Sequence, residues 1–151
     1  MPTRKLKTWI LIADASRARI LENDGPGRGV QALANRIYEA EHRKAGDIMA
    51  DRPGRTFDSA GSGRHAKAYR SDPVREEERA FAASLVGNLQ QAHEKGDFDR
   101  LILIAPPKML GDLRAQLPES LQAVIHAEID KDLTPIPNSD IPQYLGDVLA
   151  I

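Results

Sequence analysis

The 151-residue chain contains no cysteine, which removes disulfides, thiolate nucleophiles and cysteine-based zinc or iron sites at once. The fold must rest on burial alone. No stretch approaches the roughly 20 consecutive apolar residues that a membrane span requires. The basic start before Trp9 to Ala13 does not make a signal peptide either, because the apolar run is short and Asp14 and Arg17 interrupt it. A cytoplasmic, soluble protein is expected, with no membrane partner.

An excess of charge is missing too. The formal net charge is -1, so a general nucleic-acid coat is excluded and any polyanion contact has to be local. Internal repeats and low-complexity tracts are absent. Hydrophobic content of 41% beside charged content of 28% is that of an ordinary globular domain. At this length one domain over residues 1–151 is expected.

The familiar chemical motifs are wanting as well. His42, His65, His93 and His126 show neither an i, i+4 pair nor zinc-like spacing, so no metal is expected. Gly25-Pro26-Gly27-Arg28-Gly29 follows a strand pattern but opens no helix, which rules out a P-loop or a dinucleotide fingerprint. There is no G-x-S-x-G elbow around Ser59 or Ser62. Asp14 ends an apolar strand where a two-metal nuclease would place a carboxylate, yet the matching end of RLILIA offers Ala105-Pro106-Pro107, with no second carboxylate. Asp14 reads better as an Asx-turn residue bonding nearby backbone N–H groups. No catalytic residues and no cofactor are assigned.

What the chain does have is a clear alternation of elements. Thr8 to Ala13 (TWILIA) and Arg100 to Ala105 (RLILIA) are continuous apolar runs of β-formers, as in central strands buried on both faces. Arg17 to Glu22 alternates and precedes a glycine-rich turn, and a weaker strand spans about Val30 to Glu39, with Leu33, Ile37 and Tyr38 as its apolar positions. Asp72, Pro73 and the acidic run Glu76 to Glu78 announce a helix over about 73 to 95. Its apolar stripe is Phe81, Leu85, Leu89 and Ala92, and Gly96 stops it. A helix carrying Met109, Leu110, Leu113 and Leu117 follows Pro107, a fifth strand covers Val124 to Ile129, and a closing helix is expected from about Ile141 to Leu149. The order βββ, α, β, α, β, α predicts an α/β fold, a mixed five-stranded sheet with helices packed on it.

Between the third strand and the first helix lies a long interval, about 41–71, with neither helical nor strand periodicity. From Arg43 to Arg70 it carries seven Lys/Arg against three Asp, a charge of +4. The other 123 residues, 151 less these 28, therefore sum to -5. Loops beyond roughly 15 residues are usually functional or disordered. Gly61 and Gly63, beside Arg64, His65 and Lys67, bring backbone N–H groups and cations near one another, as phosphate recognition needs. The candidate RNA contacts are Arg52, Arg55, Gly61, Gly63, Arg64, His65 and Lys67.

Five segments in order, WILIADASRARILE, DRPGR with GSGRH, SDPVREEERAFAASL, FDRLILIAPPKMLGDLR and KDLTPIP, resemble the bacterial family of proteins required for attachment to host cells. That family in turn resembles the middle domain of archaeal and eukaryotic peptide-chain release factors and of Pelota. The resemblance implies a ribonuclease-H-like core. It also implies that the 41–71 interval stands where release factors carry a Gly-Gly-Gln loop, and this chain has Gly61-Ser62-Gly63-Arg64-His65 there instead. A non-catalytic ribosome- or tRNA-associated factor, with an indirect effect on attachment, is the reading that follows. Two alternatives are a peptidyl-tRNA hydrolase using His65 and a regulatory module that binds a protein partner.

Overall fold

A computed structural model describes residues 6–40 and 72–149. The strands are β1 (Thr8–Ala13), β2 (Arg17–Asn23), β3 (Gln31–Glu39), β4 (Arg100–Ala105) and β5 (Ile125–Asp130). They form one sheet in the order β3-β2-β1-β4-β5. β2 is antiparallel to β1 and to β3, whereas β4 is parallel to β1 and β5 to β4. The sheet is therefore mixed, with the order and directions of a ribonuclease-H-like core. β1 and β4 occupy its centre, which is why both are apolar without alternation: Ile10 to Ala13 and Leu101 to Ala105 are all fully buried.

Successive residues of these strands feed two cores on opposite faces. Trp9, Leu11, Leu101 and Leu103 pack beneath α1 (Pro73–Glu94) and α2 (Pro107–Gln116). Ile10, Ile12, Ile102 and Ile104 pack instead against Leu133, Ile141, Leu145 and Leu149 of the C-terminal stretch. α1 forms as its signals imply. Asp72 Oδ1 accepts from the N–H groups of Val74 at 3.0 Å and Arg75 at 3.2 Å, satisfying donors that a helix start leaves open. Phe81, Ala82, Leu85, Val86, Leu89 and Ala92 are buried. Gly96, at φ +80°, ends the helix in the left-handed region.

Two elements differ from the sequence expectation. β3 is an edge strand, and its pairing with β2 jumps from Arg19↔Ile37 to Leu21↔Ala32. One residue of β2 thus faces four of β3, a bulge that breaks the inward alternation. Leu33 and Tyr38 still pack on the core, but Ile37 is 67% exposed. The closing helix is a 3₁₀ helix at Asn138–Tyr144, not an α-helix over 141–149. Pro142 lies inside it and has no N–H to offer an i−4 carbonyl, so no regular helical ladder runs through this point. Of the positions expected to face inward, Leu145 and Leu149 are buried and Val148 is partly buried against the same core. A further short helix, α3 (Glu119–Gln122), had no signal of its own.

Candidate functional site at the carboxyl end of the central strands

The chain turns left from β1 to β2 and right from β4 to β5, so the crevice beyond the carboxyl ends of β1 and β4 is the topological switch point of the sheet. In open α/β sheets that is where ligands bind. β3 also ends at this edge, where Ala40 N–H donates to Ser16 O at 2.8 Å. α1 begins there, since Arg75 of its first turn reaches Asp112 on α2. The end of β3 and the start of α1 thus lie at one edge of the sheet.

Beside β1, Asp14 builds the turn into β2. Its Oδ1 accepts from the N–H groups of Ser16 at 2.8 Å and Arg17 at 2.9 Å, the Asx turn that the sequence indicates. Oδ2 accepts from Thr134 Oγ1 at 3.0 Å, and the same hydroxyl lies 2.6 Å from Asp132 Oδ1. A hydroxyl has one proton, so Thr134 serves one carboxylate at a time. Next along β2, Arg19 donates from Nε to Asn138 Oδ1 at 2.7 Å, from Nη1 to Thr134 O at 2.9 Å and from Nη2 to Ile136 O at 2.5 Å. Its planar fork occupies three acceptors of one turn. Burial, and then the charge of Arg17, lower the Arg19 pKa.

Beside β4, Arg75 Nη1 and Nη2 donate to the two oxygens of Asp112 at 2.6 and 2.5 Å, and Nη1 also reaches Glu78 Oε1 at 2.8 Å. The hydrogen bond to Asp112, then the one to Glu78, raise the Arg75 pKa. Ala15, Pro106 and Met109 close a cavity of about 80 Å³ around this cluster. A second cavity of about 160 Å³ lies between Ile12, Arg17, Arg19, Tyr38 and Thr134. Neither cavity is large enough for a sizeable ligand, and the polar groups that border them are largely committed to one another.

Two exposed cations at this edge are each paired with a carboxylate: Arg17, its side chain 57% exposed, lies 3.6 Å from Asp14 Oδ2, and Lys108, 68% exposed, lies 3.9 Å from Glu78 Oε1. They flank the crevice on its β2 and α2 sides, and sequence reading gave neither a binding role. The signal for them is positional, in that each follows the end of a central strand by three or four residues. The candidates Arg52, Arg55, Gly61, Gly63, Arg64, His65 and Lys67 all lie outside the described residues. Of the histidines within them, His93 packs 5.3 Å from the Phe98 ring and His126 Nε2 lies 2.6 Å from Val148 O. Among the described residues no group of three His, Asp or Glu is placed to hold a metal ion. Among them, too, no helix is long and apolar enough to cross a membrane.

Comparison with known proteins fits the chain into a wider group. No curated protein matches it. Among solved structures it is similar to the archaeal translation termination factor aRF1, with 13% sequence identity and a TM-score of 0.45 over 83% of this chain. It spans only 30% of that factor's length. The family model described as "Protein required for attachment to host cells" matches residues 9–145. As that match runs from β1 through the 3₁₀ helix and takes in both sides of the crevice, the chain belongs to the family of proteins required for attachment to host cells.

Proposed function

We propose that this protein is a non-catalytic factor that associates with the ribosome or with tRNA, using the basic 43–70 segment to contact phosphate. One observation carries the reading. A segment of charge +4, in a chain whose remainder sums to -5, falls between Ala40, which bonds Ser16 beside the end of β1, and Asp72, which caps α1. Concentrating positive charge at one place on an otherwise acidic domain raises the local potential where a phosphate would sit. Arg52, Arg55, Arg64 and Lys67 make ionic contacts, while His65 and the N–H groups of Gly61 and Gly63 complete them. In this reading an effect on attachment is indirect and follows from altered translation.

Salt dependence tests it. Four ionic contacts imply a slope of log K against log salt of about −3 to −4. Co-sedimentation with ribosomes at low ionic strength should be strong, and should fall when Arg52, Arg55, Arg64 and Lys67 are replaced together by alanine. A protein that stays in the supernatant at low salt and shows no salt-sensitive binding to tRNA would refute the reading.

A further inference from the structure

β3 is the outermost strand on its side of the sheet. Its inner edge pairs with β2, and among the described residues its outer backbone groups have no strand partner. Such an edge is a ready template for another extended chain. Beside it runs a groove of about 860 Å³ between β3 and α1, bordered by Tyr38 and Glu39 on the strand and by Glu77, Ala80, Phe81 and Ser84 on the helix.

The groove has a distinct chemistry. Phe81 and Ala80 give it an apolar wall, and the exposed Ile37 stands on its rim. Glu39 and Glu77 bring two carboxylates, and neither has an ion-pair partner among the described residues. One oxygen of Glu77, Oε1, is buried and accepts no hydrogen bond. Buried polar atoms are nearly always paired, so an orphan beside a groove marks a place for an incoming donor.

We propose that β3 and α1 together form a receptor for an extended, basic peptide of a protein partner. The peptide adds as a sixth strand along β3, with backbone hydrogen bonds supplying affinity and alternate side chains entering the groove. One groove-facing side chain is an arginine or lysine that donates to Glu77, with Glu39 adding negative potential at the rim. The next, two residues along, is aliphatic and packs on Phe81 and Ala80. A second copy of this chain fits poorly as the occupant. The one cation within its β3, Arg36, is held 3.8 Å from Asp97 and lies over the Trp9 ring at 5.2 Å.

The probe is a fluorescein-labelled octapeptide in which threonine alternates with arginine and leucine, compared with a counterpart carrying glutamate for arginine. Both are titrated into the full chain by anisotropy, and amide exchange of residues 31–39 is followed. The arginine peptide should bind and slow exchange along β3, and its counterpart should bind about 10-fold or more weakly. Glu77→Gln should weaken the arginine peptide by a similar factor, and Ala80→Arg, which blocks the groove, should abolish its binding. Equal binding of the two peptides, or indifference to both substitutions, would overturn the proposal. So would outer-edge amides already protected in the free monomer, which would mean that the chain's own 41–71 segment occupies the edge. Protection that grows with protein concentration, together with dimers in sedimentation, would likewise overturn it in favour of a second copy.

Discussion

Replacing Asp112 by alanine removes the pair that joins α1 to α2 at the site edge. Arg75 then loses two hydrogen bonds of 2.6 and 2.5 Å and keeps only Glu78 at 2.8 Å. The two side chains are 20% and 9% exposed, so the pair is largely, though not wholly, withdrawn from water. Breaking a fully buried pair from one side costs about 3 to 5 kcal/mol. With Glu78 remaining and one face of the guanidinium wet, we expect about 2 to 3 kcal/mol. In a domain of this size that lowers the melting temperature by about 4 to 12 °C. Urea unfolding of Asp112→Ala, Arg75→Leu and the double variant measures it. The double variant should lose about 1 to 2 kcal/mol less than the sum of the singles, because a lone buried charge is the expensive state. The raised Arg75 pKa adds a sign. Stability from a raised pKa is fully present below the unfolded-state value and is lost only as pH climbs through the folded one. Both lie in strong alkali, so the gap between wild type and Asp112→Ala should stay constant from neutral to mildly alkaline pH. A loss below about 0.5 kcal/mol for Asp112→Ala, or strict additivity in the cycle, would refute this account.

Arg19→Met keeps the length of the side chain but removes all three donors to the 134–138 turn. It should destabilise by about 2 to 3 kcal/mol and speed amide exchange in residues 133–145 well beyond any change in α1. A uniform change in exchange would show that the guanidinium does not clamp that turn. In the core, Leu103 is fully buried at the middle of β4, and Leu103→Ala should cost about 2 to 5 kcal/mol. A loss under about 1 kcal/mol in urea unfolding would mean that the central strand is less tightly packed than described.

Much of the architecture is legible because its signals are local. TWILIA and RLILIA are apolar on both faces, which marks the central strands, and Asp72-Pro73 with its stripe marks α1 almost to the residue. β3 was harder, because a bulge shifts which side chains face inward and Ile37, apolar by type, points to solvent. The closing helix misled for another reason. Leu145, Val148 and Leu149 recur at helical spacing and pack on the core, Val148 only in part, but Pro142 denies the backbone a regular ladder. At the site edge, Asp14 was readable as an Asx turn from its own neighbours. Its bond to Thr134, the clamp of Arg19 on Ile136 and the fork of Arg75 on Asp112 were not. Those partners lie 120, 117 and 37 residues away, and no sequence period connects them.

The parallel pairing at the centre of the sheet has a consequence for how the chain is born. Thr8 pairs with Arg100 across 92 residues, whereas β1 and β2 meet through a turn of three residues, Asp14 to Ser16. At synthesis rates of about 5 to 20 residues per second, the β1–β2 hairpin waits about 4 to 15 s before β4 emerges. Throughout that time the most apolar edge in the protein has no neighbour, and it is open to a mismatched strand from another nascent chain. The central joint can close only after the whole β1–β2–β3 side of the sheet has been made.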